Sequence, residues 1–218
     1  MQHVSGKPAV EEQGLRERKK QATRLHISNV ATQLFIARGF DNVTVGEVAD
    51  AANVSKMTVF NYFPRKEDLF FDRSEDIVDL LRRCLDARGR MSPVAALQRL
   101  AHNLVEEGHP ITKISHDVAV FWNAVAESTS LRARALELLE QLEQQLGCML
   151  ASSVQLPPAD PNAQLVAATV LAAWRVAFGE ALRHRRSGST AASRKMLLDL
   201  LDRGFAAAAT AAKGTPYV

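Results

Sequence analysis

Apolar residues recur at three- and four-residue spacing along most of this 218-residue chain, and strict two-residue alternation is absent. The pattern predicts an all-α protein. Over residues 14–38, Ile27, Val30, Ala31, Leu34 and Phe35 fall on one face of a long first helix that Gly39 stops. Two short helices are expected next, over 45–52 and 56–62. Helices follow over 75–88, from Pro93 through Val105, over 112–126 and over 130–151, each with an apolar stripe. The three prolines within 155–161 mark a loop. The last two helices, 162–184 and 189–212, differ from the others. The first of them is Ala-rich and apolar on nearly every side, so it must be covered all round.

The short pair carries the most information. Thr44 is placed to cap its first helix, with Glu47 three residues on as capping-box partner. Asn53 tolerates the left-handed backbone of a sharp stop, and Val54 fills the angle. Ser55 caps the second helix and Pro64 ends it. Val59 and Phe63 face inward with Phe60 at the margin. Lys56, Met57, Thr58 and Asn61 lie on the outer side. Thr can meet a thymine methyl or share hydrogen bonds, Asn can grip adenine with two bonds, and Lys can reach guanine or phosphate. This is the sequence pattern of a helix-turn-helix, with duplex DNA as the partner.

Charge adds to that picture. The chain carries 27 Lys and Arg against 24 Asp and Glu, a formal net charge of +3. The first 24 residues hold the whole excess, mostly in the run LRERKKQATR. A cationic segment beside a helix-turn-helix suits phosphate contact. Arg65 and Lys66 open what is expected to be the next helix, where backbone amides and the helix dipole also attract anions.

Residues 23–69 resemble the DNA-binding domain of TetR-family transcriptional regulators. The resemblance rests on Leu34-Phe35 with Gly39-Phe40, Thr44 with Val48-Ala49, Val54-Ser55 with Thr58-Val59-Phe60 and Tyr62-Phe63, and Lys66-Glu67 with Leu69. It implies phosphate contacts from Thr44, Tyr62 and Lys66, and recognition-helix roles for Lys56, Thr58 and Asn61 beside Ser55 and Met57. Met57 stands where many members have Gly, and Phe60 where many have Tyr. The expected organisation is a flexible tail over 1–13 and a three-helix helix-turn-helix domain over 14–64. A helical effector-binding and dimerisation domain over 65–212 and a C-terminal tail over 213–218 complete it.

A ligand pocket needs an apolar wall and a few placed polar groups. Phe121 and Trp122 are the expected lining, with Asn103 and His116 as polar anchors. By resemblance this small-molecule site lies among the middle helices. The all-round apolar helix fits either the centre of a monomeric bundle or, as the resemblance implies, a homodimer in which the last two helices of each copy give a four-helix interface. Leu165, Thr169, Ala173, Ala177, Leu197, Leu201 and Phe205 are its expected members. Two subunits then read the two halves of a palindromic operator, most simply as a ligand-responsive repressor.

Other chemistry finds little footing. His102, His109 and His116 recur every seven residues, but Gly108 and Pro110 interrupt the helix that would align them, so no metal is expected. No nucleophile elbow or phosphate-binding loop occurs, and neither enzymatic activity nor a cofactor is expected. Cys84 and Cys148 read as buried, reduced thiols of a cytoplasmic protein. No signal peptide is expected, and the apolar run over 165–174 is too short to span a bilayer. The competing reading is a helical small-molecule carrier or enzyme without a DNA role. The 44–63 signature and the basic first helix oppose it.

Overall fold

The computed structural model describes residues 8–72, 74–185 and 188–218. The chain divides into two compact units, Met1–Asp72 and Arg73–Val218. All regular structure among the described residues is helical.

The first unit contains α1 (Pro8–Arg38), α2 (Val45–Ala51) and α3 (Lys56–Tyr62), followed by a 3-10 turn, Lys66–Leu69. The first helix is described from Pro8, so residues 8–13 of the tail expected over 1–13 are helical; residues 1–7 lie outside the described residues. Ile27, Ala31 and Phe35 of α1 are fully buried, and Val30 and Leu34 flank them half-buried. Val48 and Ala49 of α2 and Val59 of α3, with Phe63 just beyond it, are buried as well, and α2 packs against both α1 and α3. Phe35, Phe40 and Phe70 close the core with edge-on and tilted rings, 4.8 to 6.3 Å between centroids. Ser28, also buried, donates to the Asp72 carboxylate and ties α1 to the end of the unit.

That aromatic cluster corrects two expectations. The segment after Pro64 is a single 3-10 turn, because burying Leu69 and Phe70 draws the chain into the core instead of onward along a helix axis. The first unit therefore runs to Asp72, past the boundary expected at residue 64.

The second unit holds α4 (Ser74–Asp86), α5 (Pro93–Glu106), α6 (His116–Glu127), α7 (Thr129–Ser153), α8 (Pro161–Arg185) and α9 (Thr190–Ala211). Side chains cap most of them: Ser92, Ser115, Ser128 and Ser189 each accept from the backbone amide three residues on. Asp160 does the same for Ala163 at the start of α8. The expected helix over 112–126 is split into a 3-10 turn, Pro110–Thr112, and α6. The Thr112 hydroxyl holds that turn back against α5 by bonding the Leu104 carbonyl at 2.8 Å.

α8 and α9 pack along most of their lengths, with α7 beside α8 and α5 on α9. Small residues set the closeness. A β-carbon added to Gly204 would overlap that of Ala173, and one added to Gly147 would overlap the Gln164 amide. α8 is long and apolar enough to cross a membrane by length and composition, with a mean hydropathy of 1.5. Here its inner face, including Val166, Ala167, Val170, Ala177 and Ala181, is buried in the core of the unit.

The last residues are not a tail. Tyr217 is fully buried, its hydroxyl donates to Asp160 at 2.9 Å, and its carbonyl accepts from the Val94 amide at 3.1 Å. Burial and the Asp160 carboxylate push the Tyr217 phenol up to about 12. Asp160 thus caps α8 and pins the chain end with the same oxygen.

The Gly204–Ala173 contact leaves no room for a branched side chain. Gly204→Val is expected to lower stability by about 1–3 kcal/mol through overpacking, read as a lowered denaturation midpoint in urea. An unchanged midpoint would show that α8 and α9 are not in contact there.

Candidate nucleic-acid interface

The capping box between Thr44 and Glu47 forms as the residues predict. The Thr44 hydroxyl accepts from the Glu47 amide at 3.2 Å, and the Glu47 carboxylate accepts from the Thr44 amide at 2.8 Å. Glu47 also pairs with Arg38 at 2.6 Å. The Thr44 backbone amide, then Arg38 and the Thr44 hydroxyl, hold the Glu47 carboxyl down at about 2. At the other end of α2, Asn53 adopts φ 53°. The Val54 amide bonds the Ala49 carbonyl and the Asn53 amide bonds Asp50, the two closing bonds of a Schellman stop. Ser55 then caps α3 by accepting from the Thr58 amide at 3.0 Å, and its hydroxyl pairs with that of Thr58 at 2.8 Å. Two caps and one left-handed residue therefore set the direction of α3.

Val59 and Phe63 are buried. Ser55, Lys56, Met57, Phe60 and Asn61 are exposed, with Thr58 and Tyr62 half-buried. The expected recognition residues Lys56, Met57, Thr58 and Asn61 therefore share an outward surface. Phe60, expected at the margin, joins them at 48% exposure, and Met57 stands at 69%.

Lys56 is positioned by a residue that the sequence reading passed over. A β-carbon on Gly46 would lie 2.6 Å from Lys56 Cε, 2.9 Å from its Nζ and 3.6 Å from Thr44 Oγ1. The Lys56 chain thus crosses the bare backbone of α2. A glycine inside a short helix, where it costs about 1 kcal/mol against Ala, was the available signal.

Lys66 departs from expectation. Its ammonium bonds the Phe40 carbonyl and lies 4.2 Å from the Phe40 ring centroid and 5.5 Å from that of Phe35. Desolvation lowers its pKa. The inward turn makes Lys66 a brace of the aromatic core in this structure, not an outward phosphate clamp. Farther along the unit, Arg16, Arg18, Lys19 and Lys20 of α1 are exposed, as the basic run implied.

The residues expected to form an effector pocket in the second unit lie mostly at its surface. Asn103, His116 and Trp122 are exposed, and Phe121 is half-buried against the edge of Trp122 at 5.5 Å. A recess of about 200 Å³ is lined instead by Ser92, Val94, Ala95, Gln98, Asp202 and Phe205 among others. Gln98 and His102 bond the Asp202 carboxylate at 2.8 and 2.7 Å at this recess. Cys84 is half-buried, and burial pushes its thiol up; Cys148, expected to be buried, is exposed.

The expected dimer residues separate into two sets. Ala177, Leu197, Leu201 and Phe205 lie in the core of a single chain and cannot meet a partner. Ala173 is half-buried against Gly204. Leu165 and Val176 are 48% and 46% exposed, with half-buried Thr169 on the same helix. Helical periodicity located the apolar residues but did not say which face the chain covers by itself.

The family model described as bacterial regulatory proteins, tetR family, matches residues 27–72, the stretch from the buried face of α1 to the end of the first unit. A Mycobacterium tuberculosis protein named as a mycofactocin biosynthesis transcriptional regulator, MftR, is 33% identical over 97 residues, 43% of this chain and 49% of its own length. The HTH-type transcriptional regulator AcrR of Shigella flexneri is 30% identical, over 41% of this chain and 43% of its own. The chain thus spans about half the length of these curated relatives, or less. A crystal structure of Thermus thermophilus FadR, described as a TetR-family transcriptional repressor in complex with lauroyl-CoA, superposes with a TM-score of 0.51 at 27% identity. That match covers 85% of this chain and 92% of the other.

The low carboxyl pKa of Glu47 has a testable sign. Its contribution is complete above the unfolded value of 4.5 and is lost as pH falls from there toward 2. The carboxyl resonance of Glu47 is expected to titrate near pH 2, and Glu47→Gln to flatten the acid limb of stability over that range. A midpoint near 4.5 would dismiss the cap and the Arg38 pair.

Proposed function

We propose that this chain belongs to the TetR family of bacterial regulatory proteins and is a sequence-specific DNA-binding transcriptional regulator acting as a homodimeric, ligand-responsive repressor. The observation that carries the reading is α3. It is a capped helix held by two buried residues that turns Lys56, Met57, Phe60 and Asn61 to solvent, with Thr58 half-buried beside them. Recognition helices meet base edges with such residues. Lys56, Thr58 and Asn61 contact bases or nearby backbone. Thr44, Ser55, Tyr62 and the exposed cations of α1 lie against phosphates. The Thr44 and Ser55 hydroxyls, already used in capping, retain acceptor capacity for a bridging water.

A seven-residue helix reads few base pairs, so two copies on a palindrome are needed for useful specificity. The outward strip of α8 with Leu165 and Val176, and half-buried Thr169 between them, supports the dimer reading, because the two apolar residues lack full cover within one chain. The effector reading is supported by the lauroyl-CoA in the Thermus FadR structure. By analogy an apolar, acyl-bearing molecule binds the second unit and favours a state of the dimer with lower operator affinity.

Duplexes enriched from a random pool by the full chain are expected to be palindromic, with log affinity falling linearly in log salt. Thr58→Ala and Asn61→Ala are expected to relax base preference by about 1–3 kcal/mol at single positions. No enrichment at low salt would reject the DNA reading. For the dimer, Val176→Glu is expected to raise the dissociation constant roughly tenfold or more, ~1.4 kcal/mol, in sedimentation equilibrium. An unchanged dimer would move the interface off α8.

A further inference from the structure

The outer face of α3 holds more apolar surface than a hydrogen-bonding reader requires. Met57 and Phe60 are among the most exposed large hydrophobic residues of the chain, at 69% and 48%. They stand at i and i+3 on the helix and are therefore neighbours on its surface, with Asn61 at i+4 from Met57 on the same side. The core of the first unit is complete without them, since Val59 and Phe63 supply the inward contacts of this segment. Two large apolar side chains kept in water on a seven-residue helix call for an occupant that covers them.

We propose that Met57 and Phe60 form an apolar reading surface for the 5-methyl groups of thymine in the major groove. The proposal rests on the DNA-binding reading above. The chemistry of the groove chooses the occupant: the thymine methyl is the aliphatic group displayed on base-pair edges there, and apart from the small C5–H of cytosine the other major-groove positions are hydrogen-bond donors or acceptors. Asn61 adjoins the apolar pair, and Lys56 and Thr58 border Met57 in sequence, so polar readers and a methyl reader share one short surface. The half-site is thereby predicted to contain thymine opposite Met57 and Phe60, with adenine on the other strand. Selectivity at those positions comes from methyl burial instead of hydrogen bonding.

The test uses the full chain and the duplex that it enriches from a random pool. Each dT of a half-site is replaced in turn by dU, which removes one methyl and leaves Watson–Crick pairing intact. Affinity is expected to fall about fourfold for each methyl removed at one or two positions, from ~0.8 kcal/mol per buried methyl, and to stay unchanged elsewhere. Met57→Ala and Phe60→Ala are expected to abolish that difference between the dT and dU duplexes. The dU series needs no variant, so it decides the matter even if a variant fails to fold. Specific binding that ignores dU at every position overturns the methyl reading and leaves the DNA reading intact. A chain that enriches no duplex overturns both. If Met57→Ala and Phe60→Ala instead abolish self-association of the free protein with dU without effect, the face is a protein contact and the proposal fails.

Discussion

The burial of Val59 and Phe63 governs the first unit. A seven-residue helix cannot hold itself in water, since nucleating a turn costs more than so few bonds return. These two side chains, fully desolvated, contribute about 1.5–3 kcal/mol each and hold α3, which packs on α2, in the core of the unit. With both on one side, Lys56, Met57, Phe60 and Asn61 are left facing outward, and Thr58 and Tyr62 stay half-buried. The exposed face is thus a consequence of how little of α3 the core needs. The Schellman stop at Asn53 and the cap at Ser55 add direction to that anchorage, so the side chains are presented at a fixed angle.

The electrostatics of the unit divide in the same way. Cations on α1 stay in solvent, where long-range attraction to an anionic partner is useful. Lys66 is used internally: its ammonium bonds a carbonyl and lies over two aromatic rings. Arg38 is likewise held by Glu47. A count of positive charges near the helix-turn-helix therefore overstates the number presented outward. Lys56 lies between these cases, exposed yet guided by the missing side chain of Gly46.

The second unit is organised by close approach. Gly204 against Ala173 and Gly147 against Gln164 let α7, α8 and α9 pack near one another. Helices that approach so closely cover each other, and much of the apolar surface that seemed to require a second subunit is satisfied within one chain. What remains outward on α8 is the narrower strip with Leu165 and Val176. The chain end completes the unit, because Tyr217 fills a buried site and finds its hydrogen bond on Asp160.

Helix positions, caps and the shape of the helix-turn-helix were legible in the residues because each depends on neighbours three or four positions apart: Thr44 with Glu47, Ser55 with Thr58, Asn53 at the stop. The outward set Lys56, Met57, Thr58 and Asn61 followed from the same local periodicity. Whatever depends on distant partners was not legible. The inward turn of Lys66 requires Phe35 and Phe40, the burial of Tyr217 requires Asp160 and Val94, and the enclosure of Ala177, Leu197, Leu201 and Phe205 requires helices that meet only in three dimensions. Periodicity tells which residues avoid water; only tertiary packing decides which surface shelters them, because the choice is set by contacts between segments far apart along the chain.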